Sequence, residues 1–278
     1  MPTSNVGSVT RKTIGLFVCL AYGIAWFLWL PVVLGPKGLH LTRFDASIPV
    51  FVSLGTTGPM LASFIAIRME KGRWAMPSRF FPSIRTRSWL NLFTGPALIT
   101  IAFVIIPYTI CVAPGHKVIT LSFLAPLLGV WPNILGGPLE EEFGWRGYLL
   151  PRVGARTGNV VAAILVGVAW ATWHLPLMLI HLYSVSFWYF LALEVAAAIF
   201  ASFAYFATGR SILGPVIVHY FYNTCTFMLY TALAGHPLNP SRDVDKIVLL
   251  SMIGVAAMTI AVTRGRLGAA PVTKQDLS

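Results

Sequence analysis

Eight apolar runs, each close to the length needed to cross a bilayer, constrain this chain more than any other feature. They lie near 13–34, 46–68, 89–113, 118–138, 158–181, 187–207, 212–234 and 246–263, and about 20 helical residues cover a hydrocarbon core of about 30 Å. Lipid offers no partners to open backbone groups, so each run is expected to be a helix. The expected fold is therefore all-α: a polytopic membrane helical bundle with about eight transmembrane helices, forming a single integral membrane domain over 1–278. Composition agrees, because 56% hydrophobic and only 10% charged residues leave too little polar surface to cover a water-soluble globule.

A net charge of +11 would point to nucleic acid in a soluble chain, but in a membrane protein bases sort by topology. With the N-terminus inside, fifteen of the twenty bases fall on one side, most densely at Arg68, Lys71, Arg73, Arg79, Arg85 and Arg87. The positive-inside rule then places both termini in the cytoplasm and the chain in the cell membrane. That tally treats Arg146, Arg152 and Arg156 as bases of one loop. The expected partners are the bilayer and a membrane-associated peptide or protein, with no nucleic acid. The 69–88 segment, carrying Trp74, Phe80 and Phe81, reads as an interfacial stretch on anionic lipid. Cys19, Cys111 and Cys225 lack any metal-ligand spacing and read as small buried hydrophobes.

Ionisable groups at membrane depth are costly and usually functional. The fourth run is followed by helix-compatible sequence from Glu140 to Leu150 that is expected to stop before Pro151, with Gly136, Gly137 and Pro138 as a kink. Within it, Glu142 and Arg146 stand four apart, which sets an acid and a base on one helical face. Three adjacent acids, Glu140, Glu141 and Glu142, supply a candidate proton acceptor. Trp170 and His174 repeat the four-residue spacing in the fifth run, as do His219 and Asn223 in the seventh. A carboxylate base, a histidine and neutral donors are what amide hydrolysis requires. The same atoms also offer a zinc ligand set of Glu141, His174 and His219, although no HExxH motif is present. Glu194, alone in the sixth run, reads as a buried hydrogen-bonding group. His181 and Tyr183 read as anchors at the membrane interface.

The order and spacing of these motifs resemble the CPBP family of intramembrane proteases, also called the CAAX prenyl protease or Abi family. Glu141-Glu142-x-x-x-Arg146 fits its E-E-x-x-x-R motif, Trp170-x-x-x-His174 its aromatic-x-x-x-His motif, and His219-x-x-x-Asn223 its H-x-x-x-N motif. The similarity covers about 120–230, the expected catalytic core. The resemblance implies that Glu141 is the general base, that His174 shares the water with it, and that His219 and Asn223 form the oxyanion site. It further implies that Glu142 and Arg146 hold the glutamate helix, that Glu140 is a flanking extra, and that no metal is obligatory.

At about 1.5 Å per residue, His219 lies about 10 Å into its run whereas His174 lies about 24 Å into its own. The motifs meet if the fourth and fifth helices project beyond the membrane or the fifth tilts strongly; a cavity open to the cytoplasm is expected at the meeting point. Two other readings use the same residues. A non-catalytic scaffold or bacteriocin-immunity protein would tolerate decay of the motifs, yet all six residues are intact. A proton-coupled transporter would predict an internal repeat, which the sequence lacks.

Overall fold

A computed structural model describes residues 4–82, 86–111, 134–183, 185–233 and 243–268. The described elements are helical, in the order α1 (Ser4–Leu34), α2 (Ile48–Lys71), α3 (Thr86–Thr100), a π-helical turn (Ile101–Ile105), α4 (Ile106–Cys111), α5 (Pro138–Gly144), a second π turn (Trp145–Leu149), α6 (Leu150–Thr157), α7 (Asn159–Trp173), α8 (Leu175–Leu179), α9 (Phe187–Ala207), α10 (Leu213–Leu233) and α11 (Asp243–Val262). Seven of the eight apolar runs thus coincide with helices. Most of the fourth, together with the Cys111 side chain, lies outside the described residues.

Among the described residues, four segments are long and apolar enough to cross a membrane: Lys12–Leu34, Ile48–Lys71, Phe187–Ala207 and Val244–Val262. Trp89–Ile105 and Asn159–Trp173 are shorter apolar helices. The protein is a multi-pass helical membrane protein. Helix α9 is its axis. It packs against α3, α7, α10 and α11, and its small residues, among them Ala197, Ala198, Ala201 and Ala204, let the surrounding helices approach closely, as small residues do between helices in lipid. Helices α1 and α2 form a second, tightly paired layer. The glutamate helix α5 is clamped between α2 and α10. Gly144 makes this possible: a Cβ there would lie 2.5 Å from the Cβ of Pro59 and 2.6 Å from its carbonyl oxygen.

The glutamate segment departs from expectation at both ends. Instead of a kink, residues 135–137 form a turn, and a new helix begins at Pro138, whose missing N–H costs nothing in a first turn. At the other end the helix does not stop before Pro151 but runs on to Thr157. Proline normally clashes with the carbonyl four residues earlier. Here the chain widens into a π turn, with the Leu150 N–H bonding to the Trp145 carbonyl, and Pro151 falls in the first turn of α6.

Two further expectations are corrected. Arg146 and Arg152 are not loop bases; both are buried, each paired with a glutamate. Cys19 is exposed on the outer face of α1, while Cys225 is buried as expected. In the segment after α2, Trp74 and Phe81 are exposed, but Phe80 turns inward and stacks near Phe143 of α5.

Candidate active site

Glu140, Glu141 and Glu142 share a short helix yet have three different surroundings. The Glu140 carboxylate turns back over the helix start and accepts from the backbone N–H of Gly136 (2.9 Å) and Gly137 (3.2 Å). It therefore caps α5, satisfying donors that a helix start leaves open. Glu141 and Glu142 point into the bundle and are buried.

Glu142 is the hub of an ion cluster. Its Oε1 accepts from Arg146 Nη1 at 2.8 Å, one helical turn away, and lies 2.9 Å from His219 Nδ1 on α10. Both Glu142 and Arg146 side chains are fully buried. The guanidinium also lies over the Trp170 ring, 4.5 Å from its centroid, where the ring quadrupole favours a cation. Glu142 thus joins the first motif to the third.

Glu141 joins the first motif to the second. The Trp170 indole N–H donates to Glu141 Oε2 at 2.6 Å; the other oxygen, Oε1, accepts no bond from a described residue. Trp170 also packs edge-on against His219, with ring centroids 4.8 Å apart. One turn on, His174 Nδ1 lies 2.9 Å from the Trp170 carbonyl. A carbonyl only accepts, so His174 carries a proton on Nδ1 and, when neutral, presents Nε2 as an acceptor. The ring is held in an aromatic cage of Trp173, Phe190, Tyr183, Trp170 and Trp29 at centroid distances of 4.7–6.5 Å. Tyr183, expected to anchor at the interface, is thus a wall of this cage.

The three motifs do meet, but in a closed setting rather than at an open mouth: Glu141, His174 and His219 are only 4%, 8% and 5% exposed. Asn223, one turn beyond His219, has an exposed side chain and no hydrogen bond to the cluster among the described residues. Among the described residues no group of three His, Cys, Asp or Glu side chains is placed to hold a metal ion, the Glu141, His174 and His219 set included.

Sequence reasoning missed three participants. Trp170 entered only as a motif aromatic, yet it contacts Glu141, Arg146, His174 and His219. Its indole N–H, a donor that must find an acceptor when buried, was the available signal. Glu194 is buried and accepts from the Tyr222 hydroxyl at 3.3 Å, the hydrogen bond expected of it. It also interacts electrostatically with Arg146, so the buried guanidinium faces two carboxylates. Glu70, the last acid of α2, was not singled out. It accepts from Thr13 (2.7 Å), Tyr148 (2.8 Å) and Arg152 (2.5 Å), tying α1, α2 and α6 together.

The helical membrane bundle thus buries a carboxylate with one oxygen held by an indole N–H, together with two histidines whose Nδ1 atoms are each bonded. Residues 123–225 match the family described as Type II CAAX prenyl endopeptidase Rce1-like. All six motif residues, Glu141 to Asn223, lie inside that segment. The chain is also 24% identical over 228 residues to "CAAX prenyl protease 2" from Methanococcus maripaludis, an alignment covering 75% of this chain and 82% of that relative. The resemblance carried by the three motifs is borne out: over the segment that holds them the chain is similar to CAAX-type membrane proteases.

Proposed function

We propose that the chain is an intramembrane endopeptidase that hydrolyses a peptide bond by glutamate-activated water. The observation that carries this reading is the asymmetric support of Glu141: the indole of Trp170 fixes Oε2 at 2.6 Å, and Oε1 is left to take a proton. The neighbouring His174, its Nδ1 committed to a backbone carbonyl, has Nε2 to accept a hydrogen bond from the same water. Water oxygen attacks the peptide carbonyl carbon as its proton passes to Glu141. The resulting oxyanion needs donors. With Nδ1 bonded to Glu142, His219 is the ring that donates to the oxyanion from Nε2, which requires a proton on each ring nitrogen. Asn223, exposed on the same helix face, adds an amide donor once substrate covers it. Return of the proton from Glu141 to the leaving amine lets the C–N bond break.

Glu142 and Arg146 are positioning residues in this scheme, holding His219 rather than touching substrate. No step requires a metal. The substrate is a membrane-associated peptide or protein, and the name of the Methanococcus maripaludis relative points to a prenylated C-terminal motif as the first to try. Both termini face the cytoplasm, where such a substrate is exposed.

The purified full chain in liposomes is to be given matched prenylated and unprenylated CAAX-type peptides. Cleavage that is lost in His174→Ala and unaffected by a zinc chelator supports the mechanism. Loss of cleavage on chelation, with recovery on added zinc, would replace glutamate-only catalysis by a metal reaction.

A further inference from the structure

Away from the glutamate cluster, a cavity of about 350 Å³ opens between the segment after α2 and the turn joining α9 to α10. Its wall carries Lys71, Arg79, Arg152 and Arg210, with the hydroxyl side chains of Ser78 and Tyr205. No acid lines it. The carboxylate bonded to the lining Arg152, Glu70, also accepts from Tyr148 and Thr13.

Three features mark this as a built site. Lys71 ends one candidate span and Arg210 closely follows the end of another, Phe187–Ala207, so the cavity lies at the level where helices leave the lipid and headgroups begin. The bases stand on pinned backbone: the Ile212 N–H donates to the Arg79 carbonyl (2.9 Å), and the Ser78 hydroxyl donates to the Arg210 carbonyl (2.7 Å) and lies 3.1 Å from the Tyr205 hydroxyl. Finally, Arg210 has φ 64°, directly after Gly209 at φ 75°. A left-handed conformation suits glycine, so an arginine here accepts backbone strain to place its guanidinium, and such strain clusters at binding sites. The volume is that of a small-ligand pocket, and arginine's fork matches the oxygens of a phosphate.

We propose that this cavity binds a phosphate-bearing anion, supplied either by an anionic lipid headgroup or by free phosphate. The probes are phosphatidylglycerol, with phosphatidylcholine as the uncharged comparison, and inorganic phosphate. Binding to the full chain in detergent is to be read by native mass spectrometry and by equilibrium dialysis of labelled phosphate. Wild type is expected to retain about one anion per chain. Arg210→Gly, which suits the backbone, and Arg79→Gln are each expected to weaken binding by about tenfold, the loss of one charge-assisted contact. Arg73→Gln, in the same segment but outside the cavity, is expected to leave it within about twofold. Retention of phosphatidylglycerol but not phosphate identifies a lipid; retention of phosphate alone identifies the free ion. Binding of neither probe, or equal weakening by Arg73→Gln and Arg210→Gly, overturns the site. Unfolding of Arg210→Gly at or above the wild-type temperature confirms that any loss is not misfolding.

Discussion

The pair Glu142–Arg146 offers a test in which stability and activity must separate. Both side chains are fully buried at 2.8 Å. Replacing Glu142 with Leu leaves a guanidinium in the bundle core with only the more distant Glu194 and the Trp170 ring for company. Breaking a buried ion pair from one side costs about 3–5 kcal/mol, a large part of a typical folding free energy of about 5–15 kcal/mol. At about 2–4 °C per kcal/mol, the unfolding midpoint in detergent should fall by about 6–20 °C. Arg146→Met should cost a similar amount, because Glu142 then has only His219 and Glu194 loses its cation. In the double variant neither charge of the pair is orphaned, and apolar replacement of a buried pair is often neutral or stabilising. The double variant should therefore be more stable than either single variant, with a coupling energy of about 2 kcal/mol or more. Proteolysis should nonetheless stay low, because His219 Nδ1 has lost its carboxylate partner. Thermal unfolding of all four proteins, paired with a cleavage assay, reads both quantities. Additive losses of stability, or a double variant with wild-type cleavage, would refute the reasoning.

Other outcomes follow from the same geometry. Trp170→Phe removes the donor to Glu141 while keeping an aromatic ring; kcat should fall by about 10-fold or more with a small change in KM, since a hydrogen bond to a charged group contributes about 1.5–3 kcal/mol. Gly144→Ala should destabilise the protein by about 1–3 kcal/mol, because the backbone of Pro59 cannot yield as a side-chain tip would; an unchanged unfolding midpoint would show that α2 and α5 are not so closely packed. Arg152→Met should cost about 3 kcal/mol, because Glu70 loses its cation and keeps only the hydroxyls of Thr13 and Tyr148, and should be rescued in part by Glu70→Leu, measured by the same unfolding assay.

The helices were legible because lipid demands long apolar runs, and seven such runs became helical, although α1 starts at Ser4, nine residues before its run, and the runs 89–113 and 158–181 are each divided into more than one element. The motif pairs were legible for a related reason: with so few charged residues, an acid and an arginine four apart stand out. What escaped was whatever depends on contact between distant elements. Trp170 could not be known to bond Glu141, since the indole acts across two helices 29 positions apart. Arg152 looked like a loop base because its partner Glu70 lies 82 positions away. The continuation through Pro151 needed a π turn that no local rule announces. The division of labour among three adjacent glutamates is set by which way each side chain leaves a seven-residue helix, and here the backbone of Gly136, the indole of Trp170 and the ring of His219 decide it.

The central claim is that Glu141 activates the attacking water, and the conservative variant Glu141→Gln tests it most directly. The glutamine keeps the shape and an oxygen for the Trp170 indole but cannot take a proton. Cleavage of a membrane peptide by the purified variant should fall by about 100-fold or more, the usual loss on removing a general base, with the unfolding midpoint held. Cleavage at close to the wild-type rate would contradict the account.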